Sequence, residues 1–194
     1  MILKELFDTF EELKKNVYII NRGDKNPLII KFKNEHFFHL VGLHKTNIKI
    51  FIPNYITSKD KVYKYIKKNL KKFNNILLSE MKEEKLLTFR VSTFNKIIDL
   101  LNENNQSLYS LKPQKFGSMY EGDFGLLKIY ENYNCLLALI IDEVDINAIK
   151  CAPQSWMVSD RVNQLINGKK PIYMKNISVI PKDIYENNFE TIGV

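Results

Sequence analysis

The sequence predicts an α+β fold, with N-terminal helices packed on a small, mostly antiparallel β-sheet. Two observations carry this. Apolar residues recur at helical spacing through most of the first half, whereas short β-prone runs separated by turn residues fill the second. At 194 residues the chain is expected to form a single domain, residues 1–194, with enough length for a sizeable core.

The elements follow in order. Leu3, Leu6, Phe7, Phe10 and Leu13 share one face of a helix over residues 3–15. Residues 17–20 and 28–32 are β-prone and flank the turn-rich Asn21-Arg22-Gly23-Asp24, which predicts a hairpin. Asn34 is placed to cap a helix starting at Glu35, and Gly42 to stop it. Residues 48–52 read as a short strand ended by Pro53-Asn54. Residues 59–72 hold seven lysines and one acid, Asp60, around an apolar stripe of Val62, Ile66, Leu70 and Phe73. Ser92 is placed to cap a helix that buries Phe94, Ile97, Ile98 and Leu101. Residues 108–111, 123–130 and 135–142 then read as strands, the last two joined by the turn Glu131-Asn132-Tyr133-Asn134. A short helix over 159–167 ending at Gly168 and a strand over 172–180 complete the reading.

Composition restricts the function classes. A hydrophobic content of 45% with 26% charged residues is that of a globular protein. The longest apolar run, residues 135–141, is too short to span a bilayer, and no signal peptide or membrane partner is expected. Cys135 and Cys151 share no metal-ligand spacing and fit a reducing cytoplasm. The formal charge of +7 is almost all lysine, since Arg22, Arg90 and Arg161 are the only arginines. Codon usage in an A+T-rich genome explains such basicity as well as a footprint for a polyanion does. The same two readings apply to Lys61, Lys64, Lys68 and Lys71: a solvated helix face, or a track for a phosphate backbone.

Several motifs are absent or misleading. The seven glycines never take the spacing of a phosphate-cradling loop. Asp123-Phe124-Gly125 lacks the other kinase signatures, and no Gly-x-Ser-x-Gly elbow occurs. His36-x-x-His39 could hold a metal on a helix, yet no further ligand pattern accompanies it, so neither metal nor other cofactor is expected.

All three histidines, His36, His39 and His44, fall within nine residues of EHFFHLVGLHK, residues 35–45. Histidine exchanges protons near neutral pH, as metal-independent RNA cleavage requires of its base and its acid. On an unbroken helix His44 lies roughly 140° from His39, so both serve one site only if the helix breaks near Gly42. A half-buried packing role is the competing explanation, and the stronger one for His36.

The string Phe38-His39-Leu40-x-Gly42-Leu43-His44-Lys45, after a β-prone run ending in Phe32, resembles the phage-associated branch of the Barnase–EndoU–colicin–RelE-like nucleases. Phe116-Gly117-Ser118 and Pro153-Gln154-Ser155-Trp156 are similar to that family's later serine elements, so the likeness runs from about residue 15 to 180. The resemblance implies an RNase fold, metal-independent cleavage and an origin in a phage, prophage or other mobile element. By position it implies that His39 is a general base or acid and His44 its counterpart or a phosphate contact. Lys45 would stabilise transition-state charge and Ser155 would hydrogen-bond the phosphate. Ser118 and Arg90 are further candidates for contact with nucleic acid, although turn chemistry also explains Ser118 and an acidic neighbour could equally hold Arg90. Trp156 is expected to anchor core or interface packing rather than stack a base. The partner implied is RNA, with an inhibitor, immunity or host defence protein as a further class. A non-catalytic binding module on the same fold, or a structural protein of a phage particle, is the alternative.

Overall fold

The computed structural model describes residues 1–103, 105–111, 122–158 and 160–190. Helix α1 (Ile2–Lys14) forms where the apolar spacing places it and buries Leu3, Leu6, Phe7, Phe10 and Leu13. Each of those side chains contributes roughly 1.5–3 kcal/mol by leaving water. The hairpin also forms, as β1 (Asn16–Arg22) and β2 (Lys25–Lys31) around Gly23 at φ +71°. Two short elements follow, a 3₁₀ turn (Asn34–His36) and α2 (Phe37–Val41). Helices α3 (Lys59–Lys68), α4 (Leu70–Glu83), α5 (Lys85–Ser92) and α6 (Lys96–Asn102) complete the helical layer.

The strands β3 (Ser107–Ser110), β4 (Phe124–Ile129), β5 (Asn134–Val144), β6 (Ile149–Val158) and β7 (Asn176–Pro181) join the hairpin in one sheet of order β3-β4-β5-β6-β2-β1-β7. Neighbours are antiparallel except β2 and β6, which run parallel over Leu28–Ile149 to Ile30–Cys151. The sheet curls: Ile172 bridges to Leu108 on the far edge strand, and three residues later the Lys175 N–H reaches the Asn21 carbonyl. Strand β5 shows how both faces are covered. Cys135, Leu137 and Leu139 enter the main core under the helices, while Leu136 and Ala138 join Leu111, Met157 and Val162 on the other face. Val162 belongs to α7 (Asp160–Ile166), which ends before Gly168 at φ +71°.

The structure departs from the sequence reading at several elements. Residues 48–52 are not a strand. A 3₁₀ turn (Asn47–Phe51) stands there, capped by Thr46, whose hydroxyl accepts the Ile48 N–H, with Ile50 and Phe51 exposed. Those residues are β-prone, but they stand outside the seven-stranded sheet and pair with none of its strands. Ser92 ends α5, its hydroxyl donating to the Phe89 carbonyl, and the next helix starts at Lys96. The last strand starts at Asn176, leaving Ile172 as a single bridge. The sequence reading predicts no element over β6, α5 or most of α4. Trp156 is fully buried, its indole N–H 3.3 Å from the Thr93 hydroxyl, which makes it a core anchor.

Candidate active site

The helix carrying His39 does break at Gly42. That residue adopts φ +88°, ψ +6°, the left-handed region that glycine enters without a Cβ clash. The chain reverses there into a 3₁₀ turn (Leu43–Lys45), and the reversal stacks the His44 ring on that of His39. The ring centroids are 4.5 Å apart with planes at 29°. Phe37, Leu40, Val41 and Leu43, all buried in the main core, fix the backbone beneath the pair.

Both rings are half-buried and their basicity is depressed. Burial lowers the His39 pKa, with Lys59 and Lys49 adding repulsion. For His44, burial comes first, then His39, Arg90 and Lys45, and together they bring the pKa down to about 4. The Phe38 carbonyl opposes that shift from 3.4 Å at His44 Nδ1. A neutral His44 making this contact carries its proton on Nδ1, which leaves the Nε2 lone pair free to accept one. Two imidazolium rings so close would repel, so the pair favours at most one added proton.

The two histidines line a pocket of about 380 Å³. Lys49 and Lys59 also line it, and no described lining residue is acidic. Phe38, Ile52, Pro53, Ile56 and Val62 supply apolar lining, and Asn54 and Thr57 add polar groups to it. An anion of phosphodiester size therefore meets two proton-exchanging rings and two cations at one place.

His36 lies apart from this pair. Its Nδ1 accepts the Lys33 N–H at 3.1 Å, and burial with nearby Lys33 lowers its pKa to about 4, so it is a packing and capping residue. Lys45 is exposed and outside the pocket lining, though its charge reaches His44. Arg90, on α5, packs over Gly42: a Cβ there would stand 3.0 Å from its Cδ and Nη1. Arg90 thus belongs with the histidine pair, where its charge disfavours protonation of His44.

Ser155 is not brought to the pair. It stands opposite Ala138 in the β5–β6 ladder, on the face shared with Met157, whereas α2 packs on the Trp156 face. A bulge between Ala138 and Leu139 sets this facing. Ser118 lies outside the described residues. Lys61, Lys64 and Lys68 project from α3 on the side turned away from Lys59 and Val62, so they do not face the pocket. Lys64 pairs with Asp60 at 2.7 Å. Lys71 sits at the exposed α3–α4 junction with Lys68 and Lys72.

Lys49, Asn54, Thr57 and Lys59 are polar pocket residues that the sequence does not mark as candidates. The available signal was the turn at Pro53-Asn54, which folds residues 49–59 back beside the histidine segment. Among the described residues no three His, Cys, Asp or Glu side chains gather to hold a metal ion, and no helix is long and apolar enough to cross a membrane.

No solved structure matches the chain. A curated relative, a flagellar hook-length control protein homolog of Buchnera aphidicola subsp. Acyrthosiphon pisum, is 24% identical over 190 residues, covering 90% of this chain and 78% of its own. A family model described as phage-Barnase-EndoU-ColicinE5/D-RelE like nuclease4 matches residues 2–188, nearly the whole length. The α+β architecture agrees with that match, and the chain belongs to this nuclease family.

Proposed function

We propose that the protein is a metal-independent endoribonuclease in which His39 and His44 move the protons. The observation that carries this reading is the stacked pair across left-handed Gly42, set in a pocket with Lys49 and Lys59. His44 Nε2, unprotonated at neutral pH, takes the proton of the ribose 2′-OH. The 2′-oxygen attacks phosphorus, the bond to the 5′-oxygen breaks, and protonated His39 gives that leaving oxygen its proton. The products are a 2′,3′-cyclic phosphate and a 5′-hydroxyl. Substrate phosphate raises the His39 pKa, offsetting the burial and the lysines that depress it in the free protein. Lys49 and Lys59 stabilise the charge that grows on the phosphoryl oxygens.

The same reading assigns the protein to the cytoplasm, where buried, unpaired Cys135 and Cys151 stay reduced, and to a phage or other mobile element. Incubation with RNA in EDTA is the test. Cleavage to 2′,3′-cyclic ends, sparing RNA methylated at the 2′-oxygen and lost at least a hundredfold in His39→Ala with folding retained, is expected. Full activity in the His39→Ala/His44→Ala double variant overturns it.

One observation favours a second reading, a nucleic-acid-binding module without catalysis. The exposed lysines of α3 face away from the histidines, so a strand held along them need not enter the pocket. In that case charge reversal on α3 abolishes function and the histidine substitutions leave it intact.

A further inference from the structure

The pocket beside the histidines offers more than proton transfer at a phosphate uses. Its volume of about 380 Å³ falls in the range of small-molecule sites, about 300–1,000 Å³. Lys49 and Lys59 line it, yet Phe38, Ile52, Pro53, Ile56 and Val62, which are apolar, line it as well. A phosphate is strongly hydrated and gains nothing from an apolar wall. Whatever covers those apolar side chains is flat or weakly polar and attached to the anion that the lysines attract.

The rim supports the same occupant. Residues Pro53 to Ile56 form a tight turn, closed by the Ile56 N–H donating to the Pro53 carbonyl at 2.9 Å. Tyr55 stands at its tip with 79% of its surface exposed, between two residues that line the pocket. Asn54 and Thr57 add hydrogen-bonding groups to the same lining. Aromatic and apolar faces beside lysines are what single-stranded nucleic acid binds, by stacking together with phosphate attraction.

We propose that the apolar lining of this pocket forms a base pocket: one unpaired nucleobase next to the scissile phosphate seats against Phe38, Ile56 and Val62, with hydrogen bonds from its edge to Asn54 and Thr57. The inference rests on the nuclease reading and narrows its substrate to single-stranded RNA. A base inside a duplex has its faces stacked and its edge paired, so it reaches this recess only after being pulled out. The next base along the strand meets Tyr55.

The test uses the full chain and a mixed-sequence, single-stranded RNA decamer methylated at every 2′-oxygen, which binds without being cut. An abasic nucleotide is walked along it and affinity is read by fluorescence anisotropy. Affinity is expected to fall about five- to a hundredfold at one position and little elsewhere. That position flanks the cleavage point mapped on the unmethylated strand. Val62→Trp fills the recess and is expected to flatten the scan; Ile56→Ala shallows it and partly flattens the scan without adding bulk to the core. A scan flat in the unsubstituted protein overturns the base pocket, as does equally fast cleavage of paired and unpaired nucleotides in a hairpin RNA. The two readings fail separately. A flat scan with cleavage still dependent on His39 removes the base pocket alone. A position-dependent scan with cleavage unaffected by His39→Ala removes the histidine roles and leaves the base pocket standing.

Discussion

At the scale of single residues, Gly42 decides whether His39 and His44 share a site. Its φ of +88° is strained for any side chain, and a Cβ would press on Arg90 from 3.0 Å. Gly42→Ala is therefore expected to cost about 1–2 kcal/mol in urea unfolding. Its loss of cleavage should be larger than that destabilisation explains, because relaxing the turn separates the rings. This residue was legible in the sequence, since the two histidines lie close in the chain and helical geometry alone demands the break. His36 gives a second residue-scale outcome. Its pKa is held near 4 in the folded protein and is 6.5 when unperturbed, so between those values the unfolded chain binds more protons. Stability is then complete above about pH 6.5 and falls as the pH drops towards 4, by roughly 2–3 kcal/mol from this ring, which is only 11% exposed. Unfolding free energies across that window are expected to show a smaller decline in His36→Asn.

Among the elements, α3 presents two chemically different faces. Tyr63 and Ile66 bury one side, and Glu11 of α1 ties the helix down by accepting from the Tyr63 hydroxyl at 2.7 Å and from Lys67. Although its burial acts the other way, those hydrogen bonds and one from Lys14 hold the Glu11 pKa down at about 2. Lys59 and Val62 reach the pocket, while Lys61, Lys64 and Lys68 face water. The triple change Lys61→Glu/Lys64→Glu/Lys68→Glu should leave cleavage of a dinucleotide within about twofold. It should weaken binding of a long RNA at least tenfold and make it less salt-dependent, by about 0.7 in log–log slope for each phosphate that is no longer neutralised. The sequence displayed the lysines but not which of them meets the histidines. That depends on how α3 docks on α1, and on a 3₁₀ turn over Asn47–Phe51 where β-prone residues suggested a strand. Ser155 shows the same limit in the sheet, because a one-residue bulge reverses the face that simple alternation gives.

For the whole molecule, the α+β class and the helical layer were readable because periodicity is a local signal. The sheet order was not. Strand β6 mixes Lys150, Pro153, Gln154 and Ser155 with its apolar residues, so neither alternation nor a continuous apolar run marks it. Yet β6 lies between β5 and β2, and α2 packs on it. The Leu28–Ile149 pairing joins points about 120 residues apart, and the β1–β7 ladder joins Asn16 to Pro181, farther still. This parallel seam has a consequence for synthesis. A nascent chain emerging from the ribosome exposes both histidines early, but the strand that seats their helix is translated more than a hundred residues later. Until it arrives, α2 does not have this strand to rest on, so the site is assembled only after Val158 has been made.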